Sequence, residues 1–183
     1  MKIKSPLITK PLIMTSAVVA LAGLAQTSLH AKEAPAADPL APRYASTLAE
    51  GIDFRKPGYP NFLVEVTGVS GHEPWGRWTD STLSPTATFK FSKPPPNNFT
   101  IELKASAFGP NGNIPSTIRV GKIEQQIVPK DGGTHDYKLE FKGVTASTLE
   151  IIPAKPTAPK DIKDLKSGDP RKLSFGLITL KIK

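Results

Sequence analysis

Cysteine is absent from the chain, and its 183 residues include only three histidines, two tryptophans and two methionines. Without cysteine there is no disulfide, no thiol nucleophile and no lipobox for diacylation. The histidines show no His-x-x-x-His or Glu-x-x-His spacing, so the usual helical pattern of transition-metal ligands is missing. No Gly-rich phosphate cradle and no Gly-x-Ser-x-Gly elbow occurs either. No cofactor is implied. The fold must therefore rest on its hydrophobic core, and residues 51–183 are enough to bury about two-thirds of their unfolded surface.

Long apolar runs are scarce too. The longest, Leu12 to Ala25, falls short of the roughly 20 residues a membrane span needs. It follows Lys2, Lys4 and Lys10 and ends among small residues, which predicts a secretory signal over residues 1–31, cleaved after Ala25 or Ala31. The expected location is the periplasm. Removing that segment takes away three lysines and no acid, leaving 21 basic residues against 16 acidic ones. The lysines are spread along strand-like segments, as on solvated sheet faces. An exported chain makes nucleic acid a poor partner, and the basic balance favours anionic glycans, phospholipid head groups or acidic partners.

What is present is alternation. Residues 32–50 are rich in Ala and Pro and read as a linker, and 51–183 as one domain. Within it, Phe99-Thr100-Ile101-Glu102-Leu103-Lys104-Ala105-Ser106-Ala107 alternates apolar and polar without a break. So do Ala87 to Phe91, Asp136 to Lys142 and Ile178 to Lys183. One wet face and one buried face is the signature of antiparallel sheets packed together. Further strands are expected at Phe62–Val66, Thr117–Val120, Ile123–Val128 and Leu149–Ile152, with Gly121-Lys122 closing a tight hairpin. One short helix is expected from Pro159 to Leu165. The fold class is an all-β, antiparallel β-sandwich, jelly-roll-like in its strand spacing.

The candidate site is the stretch Glu73-Pro74-Trp75-Gly76-Arg77-Trp78-Thr79-Asp80, which holds both tryptophans. Two readings stand. Exposed Trp75 and Trp78 can stack on sugar rings while Arg77, Glu73 and Asp80 hydrogen-bond hydroxyls. Alternatively, the indoles close one end of the sandwich and Arg77 is locked to Asp80, Glu73 or Asp169. Asp169 and Arg171 form a second cluster, which either fixes strand register or joins Arg77 around an anionic group. Glu73 and Asp80 are the only carboxylate pair with any case for acid/base work. Asn111 is a further candidate ligand-binding residue and, with Asn113 and Asp131, part of a set of loop oxygens that could serve calcium.

These motifs carry a resemblance. The stretch from Glu73 to Asp80, then Ala107-Phe108-Gly109-Pro110-Asn111, then Gly168-Asp169-Pro170-Arg171-Lys172-Leu173-Ser174-Phe175-Gly176-Leu177, resembles the accessory C-terminal β-domain of bacterial phosphoglycerol transferases that decorate osmoregulated periplasmic glucans. Related β-domains accompany some surface-polysaccharide glycosyltransferases. The resemblance implies a non-catalytic companion to envelope-glycan chemistry, and it carries no catalytic residue onto this chain. The implied partner is an envelope glycan or a membrane-bound glycan-modifying enzyme.

Overall fold

The computed structural model describes residues 38–131 and 133–183. The expected signal segment, and the part of the expected linker before residue 38, lie outside them. Among the described residues the strands run β1 Arg43–Tyr44, β2 Ile52–Asp53, β3 Tyr59–Pro60, β4 Leu63–Thr67, β5 Arg77–Asp80, β6 Ala87–Phe91, β7 Phe99–Ala107, β8 Ser116–Val120, β9 Ile123–Ile127, β10 Thr134–Phe141, β11 Thr148–Ile152 and β12 Leu173–Ile182.

Four antiparallel pairings explain the architecture: β8 with β9, β7 with β10, β6 with β11 and β5 with β12. They nest about the turn at Gly121-Lys122, so the chain from β5 to β12 is one long hairpin. Rolling that hairpin adds the pairings β7–β12 and β8–β11, which close two sheets in the orders β10-β7-β12-β5 and β6-β11-β8-β9. This is the jelly-roll topology. Strand β4 extends the second sheet beside β6, and β2 pairs with the far half of β12.

Alternation decides which side chains meet between the sheets. From β7, Phe99, Ile101, Leu103 and Ala105 turn inward and are at most 5% exposed, while Thr100, Glu102, Lys104 and Ser106 turn outward. Phe99 stacks on its cross-strand partner Phe141 at 5.5 Å, and Phe54 meets Phe89 edge-on at 5.7 Å. Such aromatic pairs add about 0.5–1.5 kcal/mol beyond their area burial.

Three expectations need correction. The linker reading fails from residue 38 onward. Leu40 is a core residue, Arg43 donates to the Leu63 carbonyl at 2.7 Å, and the Leu48 carbonyl accepts from Ile182 N–H. The expected helix at Pro159 to Leu165 is instead two 3-10 turns, Pro159–Asp161 and Lys163–Leu165, interrupted by extended Ile162. Finally, the Trp-rich stretch, absent from the strands expected above, forms β5 over residues 77–80, because β12 begins at Leu173, earlier than its alternation suggests, and offers them a partner.

Candidate functional site

The site is built on a turn and a glycine. Glu73 and Gly76 exchange both backbone hydrogen bonds at 3.0 Å, so Pro74 and Trp75 occupy the tip of a four-residue turn with Pro in its favoured second position. Gly76 follows at φ +152°, its Cα backed against the Leu177 carbonyl, where a side chain has no room. The chain then enters β5, and Trp78 pairs with Gly176 of β12.

Gly176 lies beneath both tryptophans. A Cβ built there would stand 3.0 Å from each indole six-membered ring and against the Ser106 hydroxyl. The missing side chain lets Trp75 and Trp78 rest on the outer face of the sheet, 4.8 Å apart at 60°. Phe108, just past β7, meets Trp78 edge-on at 5.6 Å and 80°. The three rings form a shelf running from β5 across β12 to β7. Trp75 is its open edge at 36% exposure, and Trp78 is half-buried. Phe108 was missed as a site residue, although it continues the outward parity of Ser106, Lys104 and Glu102.

An ionic cluster borders the shelf. Trp75 Nε1 donates to Glu73 Oε2 at 2.8 Å, and Arg171 Nη1 donates to Glu73 Oε1 at 3.0 Å. Arg171 also grips Asp169, with Nη2 at 2.7 Å and Nε at 3.0 Å from Oδ2. The Arg171 hydrogen bonds hold the Asp169 carboxyl below the usual carboxylate range. Asp169 first, and Glu73 second, raise Arg171 still further above its ordinary value. One guanidinium answers two carboxylates, so the cluster carries a net charge of −1 and Arg171 has little left for an anion.

The remaining candidates are structural. Arg77 points inward from β5, at 7% exposure, with its guanidinium 4.7 Å over the Tyr59 ring. It donates to the carbonyls of Ser70, Lys56 and Gly58 at 3.3–3.5 Å and to no carboxylate, and its Nε has no partner among the described residues. The lock of Arg77 to Asp80, Glu73 or Asp169 is therefore corrected, as is a groove shared by Arg77 and Arg171. Asp80, 3% exposed, accepts from Thr82 N–H, Thr82 O–H and Lys172 N–H, which removes it from any acid/base pairing with Glu73. Asn111 is buried under β12, bonded to the Phe108 and Leu173 carbonyls and to Ser174. It does not join Asn113 and Asp131, which bond each other at 2.7 Å. Among the described residues no group of three or more His, Cys, Asp or Glu is placed to hold a metal ion, and no helix is long and apolar enough to cross a membrane.

A jelly-roll domain with an aromatic shelf on one sheet is the class these features define. The chain belongs to the family described as a domain of unknown function, DUF7024, whose model matches residues 40–183. It is similar to phosphoglycerol transferase I of Citrobacter koseri, 33% identical over 135 residues, and to the proteins of that name from Salmonella arizonae and Salmonella paratyphi B, 33% identical over 138 residues. Each match covers 73% of this chain and 17% of the relative, so the chain spans about a sixth of the length of the curated proteins it matches. No solved structure matches it.

Proposed function

We propose that this chain is a non-catalytic accessory domain of envelope-glycan metabolism, exported to the periplasm, which binds a saccharide on the shelf of Trp75, Trp78 and Phe108. The observation that carries the reading is the open edge of Trp75 above Gly176. An apolar ring fixed by a carboxylate and left facing solvent offers a flat surface that a pyranose C–H face can cover. Glu73 and Arg171 lie beside it with hydrogen-bonding capacity for sugar hydroxyls. The relatives' name supports a place next to phosphoglycerol transfer, and glucan is the saccharide that the resemblance of the Glu73–Asp80 and Gly168–Leu177 motifs implies. The lysine-led apolar run before residue 31 supports export.

Chemical-shift mapping with a neutral glucan oligosaccharide tests the reading. Saturable shifts of the Trp75 and Trp78 indole N–H signals are the expected result. No shift with any glucan, or hydrolysis of the oligosaccharide, contradicts it. A second reading rests on the length of the relatives: a domain that is a sixth of a longer enzyme can dock in trans on such an enzyme. Periplasmic cross-linking distinguishes the two, since docking predicts a membrane transferase captured through the shelf without any glucan.

A further inference from the structure

Beyond the shelf, the same outer sheet face carries a cleft of about 350 Å³ lined by Lys104, Lys138 and Lys181 against Glu102 and Asp136. Strand register places the two features in line. Gly176, under the indoles, pairs with outward Ser106, and after a bulge Thr179 pairs with outward Lys104. Three steps along the strand lead from Gly176 to Thr179, about 10 Å at ~3.3 Å per residue. Thr179 and Lys181 also form the wall of a second cleft of about 270 Å³ that contains Arg55 and Lys56.

The cations of this region are held unequally. Lys138 and Lys183 both reach Glu102, at 3.2 and 3.0 Å. Lys104 stands 3.8 Å from Asp136, whose side chain is 76% exposed. Lys181 takes part in no ion pair among the described residues, and Thr179 lines the cleft beside it. At the other end of the shelf the charge of Arg171 is offset by two carboxylates, and Arg77 is buried against the face of Tyr59. Arg55 is paired with Asp53, so positive charge available to a ligand beyond the shelf lies at Lys181 and Lys104, with Lys56 across the second cleft, and not at Arg77 or Arg171.

We infer that the outer face of β12 is an extended binding track, with a neutral sugar on Trp75 and Trp78 and an anionic, phosphate-bearing substituent of the same saccharide at Lys181, Lys104 and Thr179. The inference rests on the saccharide reading above and adds a second subsite with its own chemistry. A phosphodiester reaches that subsite without crossing the net negative Glu73–Arg171–Asp169 cluster. It gains two loosely held lysines and a hydroxyl donor, each exposed enough to be screened by salt.

The test is a three-arm titration of the full chain and of Lys104→Gln/Lys181→Gln, followed by tryptophan fluorescence and by sedimentation. The arms are a neutral glucan oligosaccharide, the same oligosaccharide carrying glycerol phosphate, and phosphatidylglycerol vesicles. The expected result is a preference for the substituted over the neutral oligosaccharide of about three- to fivefold at low salt, from two exposed charge contacts. The double variant loses that preference while its affinity for the neutral oligosaccharide is unchanged. An equal affinity for both oligosaccharides, or a preference the double variant retains, overturns the inference and leaves the shelf intact. Lysine-dependent binding to vesicles with none to the substituted oligosaccharide overturns the assignment to a saccharide. Failure of the neutral oligosaccharide to bind overturns the shelf itself, and the track with it.

Discussion

Glu73 and Arg171, 98 positions apart in the chain, meet at 3.0 Å and fix the open edge of the aromatic shelf. Glu73 holds the Trp75 indole with one oxygen and takes Arg171 with the other, so the loop before β12 sets the orientation of a ring in the turn before β5. Arg171→Ala frees both carboxylates beside each other and releases Glu73 from its anchor. The pairs are about a third exposed, so the expected loss of stability is modest, about 1 kcal/mol. The clearer readout is increased quenching of Trp75 fluorescence by acrylamide, with Trp78 unaffected.

Gly176 is the second determinant of the shelf. Its backbone is ordinary strand, so the difficulty of substituting it is steric: any Cβ meets both indoles. Gly176→Val is expected to lift Trp75 off the sheet and to destabilise the domain by about 1–3 kcal/mol, the usual range for overpacking. Thermal unfolding and the red shift of tryptophan emission measure the two effects together.

Acid sensitivity follows from Asp169. Arg171 depresses its folded-state pKa, so the stability it contributes is complete above the ordinary carboxylate value near 4 and is lost as pH falls toward the depressed value. Asp169→Asn is expected to lower stability at neutral pH and to flatten its decline below about pH 4. Urea unfolding at several pH values checks the sign.

Tyr59 acts at the opposite extreme. Burial raises its hydroxyl to about 12, despite the opposing influence of Arg77 above the ring. A raised pKa gives stability that is whole below the ordinary tyrosine value of about 10 and disappears as pH climbs through 12. Absorbance titration at alkaline pH is expected to show one tyrosine ionising late and together with unfolding, and Tyr59→Phe removes that step.

Much of this architecture was legible because alternation in β7, β10 and the end of β12 is a local property of single segments. The tip of the rolled hairpin was legible at Gly121-Lys122 for the same reason. The destination of Arg77 was not. A long cationic side chain beside two tryptophans suggests exposure and a carboxylate partner. Its inward direction depends on β5 pairing with β12, and the ring it packs on, Tyr59, comes from a separate two-residue strand. Residues 38–50 were hidden by composition: two leucines eight positions apart in an Ala/Pro-rich stretch give no periodicity, yet Leu40 is buried because β1 lies alongside β3. Glu73 and Arg171 were both named from the sequence, but their pairing needs the two distant loops brought together at one end of β12.

Saccharide recognition through Trp75 has one direct test: the affinity of the full chain and of Trp75→Ala for a neutral glucan oligosaccharide, measured by calorimetry beside the thermal midpoint of each protein. Saturable binding by the parent, reduced at least tenfold in Trp75→Ala while the thermal midpoint moves by no more than a few degrees, is the predicted result. Equal affinity in the two proteins, or none in the parent, would contradict it.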